Sequence, residues 1–279
     1  MYVLCYHRVL PESGSREYEP YFARGTAVST AVFARHVADA SRNFECLDEA
    51  RALAVLRGDL LLNRPGCWFT FDDAYSDSLE IAAPILAEHG VPASMYVSTC
   101  VLDGDSLAAD RWYTMLTSAE PAVRIAVHVD SAEKRAYLRS SRHEQTATLE
   151  ELAQQYGSAN TVPPRGLYLD ADGIRRLASL GWTVGSHAVS HPILPALDES
   201  GQRRELEKSR AALAWVLGRV PETFAYPDGA WDPALAERVR EAGYAGALTL
   251  DPGRAGVGSD LRAIPRLLVR NDPEFIRSL

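Results

Sequence analysis

Cys67-Trp68-Phe69-Thr70-Phe71-Asp72-Asp73 is an apolar run that turns abruptly acidic. Its aromatic and β-branched content marks 67–71 as a strand, and the two carboxylates mark where that strand gives way to a polar loop. Residues 78–89 then carry apolar side chains at helical spacing up to Gly90, and 93–97 reads as the next strand. Upstream, 2–6 is a short buried strand ending at His7-Arg8 before a Pro/Gly/Ser-containing loop. A helix starts near Thr30, with Val32, Phe33, His36, Val37 and Ala40 on one face and Ser29 or Thr30 as cap. Downstream the rhythm breaks at about 100–168, a stretch of Asp/Gly turns with Trp112-Tyr113 and a polar Arg/Glu/Gln region, read as an insertion. It resumes with a helix at 170–180, a strand at 182–185, an amphipathic helix at about 200–217, a strand at 223–226, a helix at 233–242 and strands at 245–248 and 264–269. Roughly seven strand–helix units predict an α/β fold with a barrel-like parallel sheet in one domain spanning 1–279, with functional residues beyond the strand C-termini.

Composition bounds the function. The 279 residues fit one barrel, one open α/β sheet or two small domains, and 47% hydrophobic with 24% charged residues is the balance of a globular chain with a substantial core. A net charge of -8 without a Lys/Arg cluster argues against nucleic acid as a partner. Nearly all positive charge is arginine; the only lysines are Lys134 and Lys208. Cys5, Cys46, Cys67 and Cys100 show no C-x-x-C spacing and read as free thiols. No leader and no apolar run of about 18 residues is visible, so with Met1 as the start a cytoplasmic protein without a membrane span is expected.

Three segments lie just past predicted strands and so share one rim: Thr70 to Asp73, His187 to His191, and Tyr226-Pro227-Asp228-Gly229. Adjacent carboxylates leaving a strand point in different directions, so one can hold a metal while its neighbour accepts a proton. In isolation such a pair is equally a helix cap or a turn. Histidines four apart on a helical turn face the same way, and two imidazoles with one carboxylate leave coordination positions open for water. Alone, an H-x-x-x-H is also a solvated turn; together the two motifs point to a hydrolytic metal site.

These residues resemble the polysaccharide deacetylase family, the NodB-homology or carbohydrate esterase family 4 group. Its T-F-D-D motif is intact as Thr70-Phe71-Asp72-Asp73, which implies Asp72 as general base and Asp73 as metal ligand. Its H-[S/T]-x-x-H motif is matched by His187 and His191, with Ala188 where the family prefers a loop-bracing hydroxyl. Its R-x-P-[F/Y] motif is replaced by Ala225-Tyr226-Pro227-Asp228, so the arginine that normally partners the base is missing there. A branch resembling the poly-N-acetylglucosamine deacetylases has F-A-Y-P, an N-terminal Y-H and a late I-P-R, matched by Phe224 to Pro227, Tyr6-His7 and Ile264-Pro265-Arg266.

That resemblance implies a distorted (β/α)7 barrel of NodB type and a divalent metal, zinc first with nickel or cobalt as alternatives, on Asp73, His187 and His191. It also implies His7 as general acid, Arg266 as the residue that orients Asp72, and the amide of Asp228 as oxyanion donor. The expected reaction removes an N-acetyl or other N-acyl group from an amino sugar or other small N-acylated substrate. A non-sugar amide or formamide, or a catalytically impaired carbohydrate-binding homologue, are the alternatives. By residue type alone His7 is equally a structural hydrogen-bonding residue, and Arg266 an exposed strand-end ion pair. Asp228 either favours a substrate with a protonated amine or stabilises its turn, and Trp112, Tyr113 and Trp231 are either sugar-stacking surfaces or core anchors. No oligomeric state is assigned.

Overall fold

The computed structural model describes residues 1–12, 14–121 and 123–279; Ser13, within the predicted first loop, and Ala122, within the predicted insertion, lie outside them. Ten strands form: β1 Tyr2–Tyr6, β2 Arg8–Leu10, β3 Ala27–Ser29, β4 Glu45–Cys46, β5 Gly66–Asp72, β6 Ala93–Val97, β7 Thr183–Ser186, β8 Thr223–Ala225, β9 Gly246–Leu248 and β10 Leu267–Leu268. Helices α1 Glu19–Arg24, α2 Thr30–Asn43 and α3 Glu49–Arg57 precede β5; α4 Ala83–Glu88 follows it. Then come α5 Ala108–Thr117, α6 Ile125–His128, α7 Ala132–Arg139 and α8 Arg142–Gln155, and finally α9 Ala171–Ser179, α10 Glu199–Leu217 and α11 Pro233–Glu241.

Seven strands run in the order β10-β1-β5-β6-β7-β8-β9, every pairing parallel, with β4 added beside β5. This is the sheet of a distorted (β/α)7 barrel, the NodB-type fold that the family resemblance implies. The two edges meet through one segment: Leu248 bridges Ile264 in parallel, and three residues later Leu267 pairs with Leu4 of β1.

Strand alternation sorts the side chains into two layers. Tyr6, Phe69, Phe71 and Met95 face outward and pack beneath Phe33 and Val37 of α2, Leu86 of α4, Leu177 of α9 and Leu213 of α10. Val3, Trp68, Tyr96, Ala225 and Leu248 face the barrel interior. Thr70 and Asp72 follow Trp68 at period two, so the base predicted from the sequence emerges from the interior face.

Three predicted elements differ in form, the first being the strand expected over 264–269, which is reduced to a bridge at Ile264 and the pair Leu267–Leu268. The helix expected over 78–89 opens as a π-turn, Ser78–Ala82, in which the N–H of Ala83 reaches back to the carbonyl of Ser78. Pro84 follows immediately; it has no N–H to give to the ordinary ladder, and the wider turn absorbs that defect. The predicted insertion is helical, α5 to α8, and its Trp112, Met115, Leu116, Tyr137 and Leu149 share one apolar cluster with Leu10, Tyr21 and Tyr75. It is tied to the barrel by the buried carboxylate of Asp110, which accepts hydrogen bonds from the hydroxyls of Tyr21 (2.6 Å), Tyr75 (2.9 Å) and Tyr168.

A titration is built into the barrel wall. Glu49 is buried and accepts a 2.5 Å hydrogen bond from Thr223, whose hydroxyl also lies 3.0 Å from that of Tyr96. Burial pushes its carboxyl up to about 7 from 4.5. Between those values the folded chain binds more protons than the unfolded one, so the stabilisation is complete below about pH 4.5 and lost as pH rises through about 7. Glu49→Gln, which stays neutral, is therefore expected to raise the melting temperature at pH 8 by roughly 5 °C and to change it little at pH 4.5. Equal shifts at both pH values in thermal melts would contradict this.

Candidate active site

The C-terminal ends of β5, β7 and β8 each release a loop onto the same cavity, of about 120 Å3, lined by His7, Asp72, Asp73, His187, His191 and Asp228 among others. Among the described residues, five non-glycine positions have left-handed backbone: Asp73, Ala74, Ala188, His191 and Asp228. All five lie in these three loops. Backbone strain confined to one rim is the mark of a constructed site, because each such residue costs about 1 kcal/mol or more and persists only where its surroundings enforce it.

Asp72 is 1% exposed and paired with Arg266, which is fully buried. The guanidinium forks onto both carboxylate oxygens at 2.8 Å, while its Nε donates to the carbonyl of Thr249. The thiol of Cys5 donates to Oδ2 of Asp72 at 3.4 Å. Burial works to raise the Asp72 pKa, but the Arg266 charge, with His187 after it, overcomes that and holds the carboxyl well below its ordinary range. Asp73 is the opposite case. Burial and then the neighbouring charges of Asp72, Asp110 and Asp228 push its pKa well up.

Oδ1 of Asp73 is buried without a hydrogen-bond partner and faces Nε2 of His187 at 3.7 Å and Nε2 of His191 at 3.5 Å. Nδ1 of His187 lies 2.7 Å from the carbonyl of Ala225, an acceptor, so Nδ1 carries the proton and Nε2 presents a lone pair. Burial lowers the His187 pKa to about 3 and that of His191 in the same direction, keeping both rings neutral at pH 7. Lone pairs on nitrogen and oxygen thus converge on one point, an arrangement that suits a cation between them. The ligand atoms of this trio lie within 4.8 Å of one another. Cys5, His7 and Asp72 are equally close together, but Arg266 already supplies the positive charge there, so the donor set that fits a divalent metal is Asp73, His187 and His191.

A family model described as polysaccharide deacetylase matches residues 62–247, about two thirds of the chain. The chain belongs to the polysaccharide deacetylase family. Solved structures with the same fold include a Streptococcus pyogenes deacetylase, PplD, in complex with acetate (17% identity over 100% of this chain and 96% of that one, TM-score 0.71). IcaB from Ammonifex degensii is similar too (19% identity, 99% and 96% covered, TM-score 0.66), as is a de-N-acetylase from Aggregatibacter actinomycetemcomitans (15%, 97% and 95%, 0.67). No curated protein sequence matches the chain. His7 and Arg266 lie outside the matched residues, so their place in this deacetylase-family site rests on geometry alone.

Several expectations need correcting. His187 to His191 is no helical turn: it is an irregular loop with left-handed Ala188 and His191. The hydroxyl missing at Ala188 is replaced by Glu205 of α10, whose carboxylate accepts from the N–H groups of Val189 and Ser190 (2.8 and 3.0 Å) and from the Ser190 hydroxyl. Trp112 is fully buried, donates to the carbonyl of His128 and packs on Tyr137, so it offers no face to a sugar; Tyr113 beside it lines the cavity. Tyr226 and Pro227 are buried behind their loop, with the Tyr226 hydroxyl on the carbonyl of Arg262, and Trp231 stacks on Tyr226 and donates to Asp251 rather than lining the cavity. Asp228 is at the cavity, but Arg24 already sits 3.5 Å from it, which weakens the case for a cationic substrate group there. No described helix is long and apolar enough to cross a membrane.

Cys5 and Glu205 escaped the sequence reading. For Cys5 a signal existed: it stands two residues before His7 on the same strand face. For Glu205 there was none.

Proposed function

We propose that this chain removes an N-acetyl, or other N-acyl, group from an amino sugar or an amino-sugar-containing biosynthetic intermediate, releasing a free amine and a carboxylic acid. What carries the reading is two carboxylates in succession with opposite needs: Asp72 is neutralised by Arg266 and ionised, whereas Asp73 is orphaned beside two imidazole lone pairs. Asp73, His187 and His191 would hold a divalent cation, zinc first, which when bound would supply Lewis acidity to a water and to the acyl oxygen.

Asp72 accepts the proton of the attacking water. The Arg266 fork and the Cys5 thiol use part of its lone-pair capacity, leaving one pair on Oδ1 for that task. The backbone N–H of Asp228 is assigned to the oxyanion that develops on the acyl carbon's oxygen. His7 protonates the departing nitrogen. Burial lowers its pKa to about 4, so it rests neutral, and the proton it delivers is the one that Asp72 has taken from the attacking water. Cys5 lies 3.4 Å from Asp72 and 4.0 Å from Nδ1 of His7, in reach of both groups.

The test is amine release from N-acetylated amino sugars by the metal-loaded protein, beside Asp72→Asn. That variant is expected to lose about 10²- to 10⁴-fold in turnover with its metal content unchanged. Wild-type turnover in Asp72→Asn contradicts the assigned base, and turnover of non-sugar amides or formamides alone moves the same residues to that substrate class.

A further inference from the structure

A second cavity, of about 170 Å3, shares Leu138, His191 and Ile193 with the catalytic one. Arg111 of α5 lines it. That side chain is 8% exposed; its Nη2 donates to the Gln145 amide oxygen at 2.9 Å, but its Nε is buried with no hydrogen-bond partner. Among the described residues Arg111 forms no ion pair. A guanidinium withdrawn from water without a counter-charge is costly, and a free Nε–H with a neighbouring Nη is the fork that recognises an oxyanion in two-point fashion.

The rest of the lining agrees. Arg139 and Arg142 add positive charge, the latter tied to Asp105 at 2.6 Å. The single carboxylate there, Glu205, is engaged by three donors of the histidine loop, and the three arginines of the lining outnumber it. On the catalytic side of the shared wall the same helical segment contributes Lys134, 3% exposed, which donates to the Tyr113 hydroxyl and the Val129 carbonyl and likewise forms no ion pair among the described residues.

We infer that the second cavity is a subsite for an oxyanion, phosphate or carboxylate, carried by the substrate, so that the amino sugar deacylated is an anionic one. The two cavities meet at Leu138, His191 and Ile193, which line both. The inference rests on the deacetylase reading for the sugar, though not for the anion.

Two measurements on the metal-loaded protein test it. In the first, kcat/KM is compared for N-acetylglucosamine, its 1-phosphate, its 6-phosphate and the corresponding uronic acid, the last three distinguishing the source of the charge. At least one anionic sugar is expected to be preferred about tenfold or more, the preference to fall about tenfold in Arg111→Gln, and Arg111→Lys to restore part of it. In the second, inorganic phosphate is titrated calorimetrically into wild type and Arg111→Gln, with binding weakened about tenfold in the variant. A wild-type preference below twofold for every anionic sugar overturns the subsite, whether or not the variants fold. So does equal phosphate affinity in wild type and Arg111→Gln, which places the anion elsewhere. Phosphate binding lost in Arg111→Gln with no turnover of any sugar keeps the subsite and refutes the deacetylase reading instead.

Discussion

Asp73→Ala is expected to reduce bound divalent metal from about one equivalent to below a tenth, and turnover by at least about 10³-fold. Asp73 is the only anion in the trio, and without it two neutral imidazoles remain. Its carboxyl is pushed toward protonation by burial and by Asp72, Asp110 and Asp228, so metal and proton compete for it and metal affinity falls as pH is lowered. His187→Ala is expected to behave alike, since its Nδ1 contact to Ala225 aims Nε2 at the same point. Elemental analysis after dialysis reads the result. Unchanged metal content in both variants sinks the site, and chelated wild type should match Asp73→Ala in residual activity.

Arg266→Met comes next in size. Removing the guanidinium leaves the Asp72 carboxylate 1% exposed with no counter-charge, a change expected to cost about 3–5 kcal/mol of stability and roughly 10 °C in melting temperature. The pH dependence changes sign. In wild type the depressed Asp72 pKa gives a stabilisation present above the ordinary carboxylate range and lost only as pH falls through the folded value, far into acid. In Arg266→Met burial dominates and raises that pKa, so stability declines as pH rises past about 4, and the acid limb of kcat moves upward with it. Adding Asp72→Asn should recover most of the lost stability and none of the activity. Denaturant melts of the single and double variants, run at pH 5 and pH 8, measure each of these effects.

The division between what could and could not be read from the residues follows the range of the interactions. Apolar alternation is local, so the strands and the positions of Asp72, Asp73, His187 and His191 at their ends were legible. The fork of Arg266 on Asp72 spans 194 positions of sequence and was suggested only by family resemblance. Left-handed backbone at Ala188 has no sequence signature, since alanine favours the ordinary helix, and the histidine pair was therefore given helical geometry it does not adopt. Two helices of the 100–168 region were obscured because each buries little: α7 only Lys134 and Tyr137, α8 only Gln145 and Leu149. Trp112 shows the limit of residue type as a guide, since a ring suited to stacking on sugar is equally suited to filling a core.

The segment 264–268 joins the two edges of the barrel and also carries Arg266. Completion of the fold and neutralisation of Asp72 are therefore one event. Until 264–268 docks, the sheet is open between β9 and β1 and Asp72 lacks its guanidinium partner. In the finished protein the same seam acts as a fuse: losing it removes the partner of Asp72.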